Sequence, residues 1–315
     1  MTRAPAHARG FTLAELLAVI GVIAVLAVVV SMSAQRISKD AKISSATNQV
    51  LAALGQARAI AIRDHATVLV GFRVRRPTFR QSDGTEVIVE SSKQQTEIVI
   101  AKATGRVGFP GATVGTGSYT IVFPAGAIND LLIEEFEPVE GMPPKLLPAS
   151  VKVAGSAADF PDVNEMGQDS LWLSQPRVIS SSDLSLNTRG SMVVVRFAPD
   201  GSMQTRNPTL SSNLTASSTD TSVVAPYIDF NRNGRIDIGL STSGSNGQFF
   251  YFDEMNDEPL GDHTSFLAVF DDDLFLETGY SSGLSLNEGR TEFVNQFADR
   301  IHFNRFTGVA EVLPR

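Results

Sequence analysis

Residues 11–30 form an apolar run, FTLAELLAVIGVIAVLAVVV, which constrains the fold of this 315-residue chain more than any other segment. Glu15 is the only ionisable side chain in the run. A helix of about 20 residues rises about 30 Å, which matches the hydrocarbon core of a bilayer. The run therefore predicts a transmembrane helix over residues 11–30.

The ten residues before this run predict its orientation. They contain Arg3 and Arg9 and no acidic residue, and cationic flanks stay on the cytoplasmic side of a membrane. We therefore expect a single-pass protein of the cytoplasmic (inner) membrane, with its N-terminus inside and the rest in the periplasm or outside. A secretory signal peptide fits less well, because the run is long and residues 31–34 only weakly resemble a small-residue cleavage site.

Glu15 is the unusual residue of the run. A carboxylate near the start of a membrane helix costs about 2.5–3.5 kcal/mol when it is ionised and deeply placed, so such residues are usually functional or paired. A plain signal anchor explains the apolar residues and the arginines but leaves Glu15 without a role.

The motif GFTLAE at residues 10–15, after a short basic leader, resembles the N-terminal signal of type IV pilins and type II secretion pseudopilins. The resemblance implies that a prepilin peptidase removes residues 1–10 by cleaving after Gly10 and then methylates the amino group of Phe11. It also assigns filament assembly to Glu15 and Thr12, with Glu15 facing the Phe11 ammonium group of a neighbouring subunit. A cation and a carboxylate compensate each other when they pair in a low dielectric. The implied partners are the peptidase, other pilins or pseudopilins and an assembly platform protein.

Residues 31–64 continue the helical pattern beyond the apolar run. This stretch contains no proline, and apolar or small residues recur every three or four positions. We predict one helix of about 50 residues, with a transmembrane half and an amphipathic half. Residues 54–63, followed by the apolar residues 67–70, resemble the GspH/FimT-type minor pseudopilins and minor pilins, in which the helix end leads straight into the first strand.

Residues 65–315 predict a β-rich head, which gives an α+β, pilin-like fold class. Alternating β-branched and aromatic residues predict strands at 67–75, 86–90, 96–101, 119–123, 131–133, 191–196, 248–252, 266–270, 301–303 and 309–312. Three segments share a strand followed by a glycine and predict hairpins that turn near Gly201, Gly234 and Gly308. The proline-rich stretch 125–190 is a candidate insertion or subdomain.

The segment DFNRNGRID at residues 229–237 is the candidate metal site. Oxygen-bearing side chains at Asp229, Asn231, Asn233 and Asp237, with a glycine at the sixth position, resemble the start of a calcium loop. Leu240 stands where such a loop needs its bidentate acid. The same Asn-Gly pair favours an ordinary type I′ hairpin, and the sequence leaves both interpretations open.

Two charged clusters have both a binding and a structural interpretation. The acidic residues between 253 and 273 could supply further oxygen ligands or form a solvated face, and we expect the solvated face. The arginines between 73 and 80 could contact phosphates, but we expect a solvated strand face here as well. The chain has 26 basic and 34 acidic residues, a net charge of −8, which argues against nucleic-acid binding.

The sequence predicts no enzyme. The chain has no cysteine and four scattered histidines, and it lacks the common hydrolase, zinc-protease and phosphate-loop motifs. The predicted function is a minor pilin or pseudopilin, a structural subunit of a type II secretion pseudopilus or type IV pilus. The alternative is an extracytoplasmic binding domain or enzyme that is held by a signal anchor and never enters a filament.

Overall fold

The computed structural model describes residues 13–75, 78–80, 86–88, 95–112, 118–122, 131–156, 172–173, 178–180, 192–204, 209–211, 221–237, 240–241, 249–251, 258, 261–278 and 286–313. The helices are α1 (Leu13–Asp64), α2 (Asp272–Glu277) and α3 (Leu286–Phe297). The strands are β1 (Val68–Arg75), β2 (Thr78–Arg80), β3 (Glu86–Ile88), β4 (Gln95–Ala112), β5 (Ser118–Val122), β6 (Leu131–Pro138), β7 (Lys145–Leu146), β8 (Val151–Ser156), β9 (Trp172–Leu173), β10 (Val178–Ser180), β11 (Met192–Phe197), β12 (Met203–Gln204), β13 (Thr209–Ser211), β14 (Thr221–Ile228), β15 (Arg235–Asp237), β16 (Leu240–Ser241), β17 (Phe249–Tyr251), β18 (Gly261–His263), β19 (Phe266–Asp271), β20 (Asp299–Phe303) and β21 (Ala310–Leu313).

Helix α1 is a single element of 52 residues, which corresponds to a length of about 78 Å. It ends where His65 adopts a positive φ of 47°, and a hydrogen bond from the Ala66 N–H to the Ala61 carbonyl closes its last turn. Strand β1 begins directly afterwards, at Val68. The predicted uninterrupted helix that leads straight into a strand is confirmed over the described residues.

The largest sheet has the strand order β12-β11-β1-β4-β6-β14-β13. Strand β1 is central and antiparallel to both of its neighbours, so that Val70 lies between Val195 and Ile100. Strand β14 is parallel to β6, and β18 is parallel to β11. Strands β5, β7 and β15 extend this sheet at its side.

A second sheet of five strands has the order β21-β20-β19-β8-β9. One of its faces packs on α2 and α3 through a cluster of aromatic side chains that includes Phe270, Phe275 and Phe293. Asp271 caps the N-terminus of α2, because its carboxylate accepts a hydrogen bond from the Asp273 N–H. The sequence pattern predicts neither α2 nor α3.

The main core lies between the second half of α1 and the two sheets. Helix residues such as Val50 and Leu54 share one cluster with Val70 of the large sheet and with Val153 and Leu267 of the second sheet. The opposite face of the large sheet carries a smaller apolar cluster, which consists of Leu69, Val99, Ala101, Phe136, Met192, Val194 and Ile228. Both faces of β1 are therefore buried, which explains why seven of its eight residues are buried.

Most predicted strands coincide with strands of the structure, but one hairpin prediction is wrong. Strands β11 and β12 pair around Gly201, and β20 and β21 pair around Gly308, as expected. Around Gly234, however, β14 pairs with β6 and β13, whereas β15 pairs with β5. From the stretch 125–190, β6 enters the large sheet and β8 the second sheet.

Candidate functional site

The first half of α1 carries large apolar side chains that the described part of the chain does not cover. Between residues 13 and 30 their exposed fractions range from 52% at Val19 to 78% at Leu13. A contiguous apolar surface of this kind marks an interaction site. Helix α1 therefore presents an apolar rod that requires a partner other than its own head.

The residues of the processing motif lie at the start of this rod. Gly10, Phe11 and Thr12 lie outside the described residues, and so does the side chain of Glu15, although its backbone belongs to α1. Within the described part of the chain no helix, α1 included, is long and apolar enough to cross a membrane.

The second half of α1 is anchored in the head. The predicted stripe is buried, as shown by Ile43, Ala46, Val50, Leu54, Ala57 and Ala61. Polar contacts tie the same half to β20 and to the turn between β20 and β21. The Thr47 hydroxyl donates to the Asp299 carboxylate at 2.8 Å, and the Arg58 Nε donates to the Thr307 carbonyl at 2.6 Å.

The last turn of α1 is tied to the large sheet by an ion pair. The Asp64 carboxylate accepts hydrogen bonds from Arg63 and Lys102, at 2.7 and 3.2 Å. The hydrogen bond from Arg63, followed by that from Lys102, lowers the pKa of Asp64 to about 2. The carboxylate therefore stays ionised at neutral pH, and the helix end keeps its contact with β4.

The candidate metal loop is a turn closed by its first residue. Asp229 is fully buried, and its two carboxylate oxygens accept the N–H groups of Asn233 and Gly234, at 3.2 and 2.7 Å. Arg232 and Gly234 adopt positive φ angles of 60° and 69°. The side chain of Asn231 accepts a second hydrogen bond from the Asn233 N–H, at 3.0 Å. This wider loop, rather than a tight hairpin, directs β15 towards β5.

Two further buried carboxylates lie beside this loop, and sequence reasoning missed one of them. Glu258 is fully buried, and its Oε1 accepts the Phe230 N–H at 2.7 Å. Glu135 is fully buried on β6, forms an ion pair with Arg106 and lies within electrostatic reach of Asp229. The expectation of a solvated face for the acidic region is therefore wrong for Glu258 and for Asp271, which are both buried. A signal for Glu135 was present, since two adjacent glutamates interrupt the apolar segment 131–136.

The electrostatics of this cluster reflect its burial. Burial raises the pKa of Glu135, the ion pair with Arg106 opposes that rise, and the nearby Asp229 adds to it. Burial also raises the pKa of Tyr227, and the negative charges of Glu135, Asp229 and Glu258 raise it further. The three carboxylates therefore lie within electrostatic reach of the Tyr227 hydroxyl. Among the described residues, no group of three or more histidine, cysteine or acidic side chains could hold a metal ion.

Arg73 and Arg75, the first two arginines of the basic cluster, have a structural role. Arg73 is buried, contacts Glu97 at 2.6 Å and stacks over the Phe230 ring at 4.0 Å, while Arg75 contacts the same glutamate at 3.0 Å. The prediction of a solvated strand face is therefore wrong for both arginines. The Arg73 guanidinium holds Phe230, in the loop after Asp229, against the large sheet.

Comparison with known families adds one observation about the N-terminus. Residues 5–31 match the family model of the prokaryotic N-terminal methylation motif. The chain carries a prepilin-type processing signal. This motif indicates a type IV pilin-like substrate of prepilin peptidase, and it implies contact with that peptidase and with other pilins in general. No curated protein and no solved structure matches the chain.

Proposed function

We propose that the protein is a minor pilin or pseudopilin of the GspH/FimT type. It is a structural subunit of a type II secretion pseudopilus or a type IV pilus, and it has no enzymatic activity. The observation that carries the proposal is the methylation motif at the start of one unbroken helix, whose other half is anchored in a β-rich head. The direct passage from α1 into β1 supports the choice of subgroup.

Before assembly, residues 11–30 hold the subunit in the inner membrane with the leader in the cytoplasm and the head outside. The exposed apolar side chains of residues 13–30 support this role, because lipid or neighbouring helices would remove them from water. The assembly platform protein would extract the subunit, and the same side chains would then pack against the helices of other subunits.

Glu15 sets the axial register of the subunit within the filament. Cleavage after Gly10 creates an amino group on Phe11, whose ordinary pKa is about 7.7–8.0. This cation pairs with Glu15 of a neighbouring subunit, with Thr12 beside it. Each charge is costly alone in an apolar surrounding, so the helices associate only where the two groups meet.

The head transmits force from its surface to the rod. The second half of α1 is clamped between the two sheets and tied by Thr47, Arg58 and Asp64. A pull on the head therefore reaches the first half of the helix through the core. The mechanism of the protein is mechanical: helices bundle, the register is fixed by charge, and the head makes the outer contacts.

Replacement of the residue before the cleavage site tests this proposal. We expect Gly10→Ala to leave a chain that keeps its leader in cells that contain the peptidase, as detected by immunoblot and mass. Gly21→Ala, in the same segment but away from the cleavage site, is the control and should be processed normally. Normal processing of Gly10→Ala would contradict the proposal.

A Glu15→Leu variant separates the filament subunit from a head that is held only by a signal anchor. A tether tolerates leucine, whereas a filament subunit reaches the membrane but assembles poorly. We expect a loss of at least tenfold in the sheared filament fraction, with equal amounts in membranes. Wild-type assembly of this variant would favour the tethered binding domain or enzyme.

A further inference from the structure

We propose that strand β21 is a docking edge, to which an extended segment of a different filament subunit adds as one further strand, with a basic residue opposite Glu311. The identity of the partner as another subunit rests on the proposed function, whereas the edge is inferred from the head alone.

Strand β21 is the outermost strand of the second sheet. Among the described strands it pairs only with β20, and its last three residues, Glu311, Val312 and Leu313, are exposed. An outermost strand presents backbone N–H and C=O groups that can pair with another chain. Strand β12, at an edge of the large sheet, has only two residues, and one of them, Met203, is buried. Strand β21 therefore presents a longer and more exposed edge than β12 does.

The register of the hairpin shows which backbone groups of β21 face outwards. The Asn304 N–H donates to the Val309 carbonyl at 2.9 Å, so these two residues form a hydrogen-bonded pair. Hydrogen-bonded pairs recur at every second position of an antiparallel ladder. The backbone groups of Glu311 and Leu313 therefore point to β20, and those of the two residues that alternate with them point away.

Ala310 and Val312 are the two residues whose N–H and C=O groups point outwards. Together they offer a partner two donors and two acceptors. This arrangement is the complement of an extended segment that adds to the edge of a sheet. Pro314, two residues further along the chain, has no N–H. The pattern of donors therefore ends at Val312, and the segment that fits in direct register is short.

The side chains of β21 define which segment fits. Val312 pairs with Ile301, so the two side chains lie on the same face of the sheet, towards the main core. Ile301 is fully buried, but Val312 is 40% exposed. An apolar side chain of an added strand would cover Val312 and extend the core. Glu311 lies on the opposite face and favours a basic residue directly across from it. The partner segment therefore has the pattern apolar, basic, apolar.

A second copy of this chain is the competing occupant, and its own β21 fits poorly. Antiparallel pairing that places Ala310 opposite Val312 would bring the two Glu311 side chains directly opposite each other, where like charges are destabilising. A register that places Val312 opposite Val312 brings Pro314, which has no N–H, opposite Ala310. The opposite shift brings Val312 to Gly308, which belongs to the turn. We therefore assign the edge to a different subunit.

The test is a titration of the full chain in detergent with a fluorescent peptide of sequence STVKVTS. Its palindromic pattern places lysine opposite Glu311 in either strand direction. Anisotropy should show saturable binding, and hydrogen–deuterium exchange should slow at residues 310–312. A peptide with glutamate in place of lysine should bind about threefold more weakly. N-methylation of both valines removes the N–H groups that face β21 and should abolish binding. The absence of saturable binding, or equal binding of the methylated peptide, would overturn the proposal.

Variants of the head locate the contact. Val312→Pro removes one outward N–H at an edge position where proline is tolerated, and it should weaken peptide binding about tenfold. Val312→Ala keeps that N–H and should lose less. Glu311→Lys should reverse the preference between the lysine and glutamate peptides. Leu276→Ala, at an apolar residue of α2 that is 60% exposed, is the control and should bind as the wild type does.

The outcomes of these variants decide between the occupants. If Val312→Pro fails to fold, Glu311→Lys still tests the edge, and an unchanged peptide preference in Glu311→Lys would contradict the proposal. A dimer of the full chain that Val312→Pro abolishes would assign the edge to a second copy and would also overturn it. Leader cleavage does not enter the titration. A failed titration therefore leaves the proposed function intact, and an uncleaved leader would contradict that function without changing peptide binding.

Discussion

The two halves of α1 use their apolar residues in opposite ways. Around Leu17 the side chains are exposed and point to no part of the described head, whereas around Leu54 they are buried between two sheets. The first half is therefore free for partners, and the second half belongs to the core of its own domain. One continuous helix thus joins an intermolecular surface to an intramolecular one.

Because of this difference, a substitution of an apolar residue should affect a different property in each half of the helix. Apolar residues of the second half contribute to the free energy of unfolding of the head. Those of the first half contribute to membrane insertion and to contacts between subunits in the proposed filament. Stability and assembly should therefore be separable by position along one helix.

A leucine-to-alanine substitution in each half of α1 gives the largest expected difference in the free energy of unfolding. Leu54→Ala should lower the free energy of unfolding of the head by about 2–5 kcal/mol, because Leu54 is 1% exposed within the main core. Leu17→Ala should leave it unchanged. Chemical denaturation of the full chain in detergent, followed by tryptophan fluorescence and circular dichroism, measures both values. An equal loss in the two variants would contradict the division of the helix.

The second-largest effect concerns the turn between β20 and β21, which contacts the second half of α1 through Arg58. Gly308 has a φ of 66°, and an added Cβ would lie 2.2 Å from the Gly201 carbonyl oxygen. We expect Gly308→Ala to cost about 2–3 kcal/mol of head stability and to weaken the contact between Arg58 and the adjacent Thr307 carbonyl. Gly141→Ala, whose φ is 75° but whose Cβ would meet no described atom within 4 Å, is the control for backbone strain alone and should cost clearly less.

Acid should destabilise the head through a buried histidine, His263. Burial, with a contribution from the positive charge of Arg196, lowers the pKa of His263 from its ordinary 6.5 to about 3. Between pH 6.5 and pH 3, His263 is therefore protonated in the unfolded chain but neutral in the folded head. Stability from this group is complete above pH 6.5 and falls, as the pH decreases towards 3, by up to about 1.4 kcal/mol per pH unit.

Denaturation curves between pH 5 and pH 7 measure this slope. His263→Gln should flatten it, and replacement of the exposed His302 by glutamine should not. A slope that is unchanged in His263→Gln would show that another group controls the acid response of the head.

The smallest expected effect on the free energy of unfolding comes from replacing the two glycines of α1, one in each half of the helix. No described atom lies within 4 Å of a Cβ added at Gly21 or Gly55. Alanine lowers the entropic cost of an exposed helical position by about 0.5–1 kcal/mol. Gly55→Ala should therefore stabilise the head by that amount, whereas Gly21→Ala should not change head unfolding. A gain at Gly21 would mean that both halves unfold together with the head.

The features that the sequence predicts well are local. The motif at residues 10–15 and the helix 13–64 depend on neighbours along the chain, and β1 follows from β-branched residues between 68 and 75. Helix α3 was missed because its apolar residues, such as Phe293, are few, and its stability comes from packing against Phe270 and Phe275. Intrinsic helix propensity is too weak to reveal such an element.

The acidic cluster of Asp229, Glu135 and Glu258 shows what local sequence patterns cannot predict. The loop at Asp229 could be found from its spacing, but its partners Glu135 and Glu258 reach it only through pairing of β6 with β14 and through a distant loop. The sequence has Leu240 instead of an acid at the twelfth position of the loop, and the acids that lie beside Asp229 come from other segments. Contacts that are distant in sequence leave no periodic signal.

The most direct test of the central claim is the intact mass of the protein extracted from membranes of cells that contain the peptidase. The account predicts a chain that begins at Phe11, lacks residues 1–10 and carries one added methyl group. A mass that still includes the initiator methionine and the leader, with no methyl group, would contradict it.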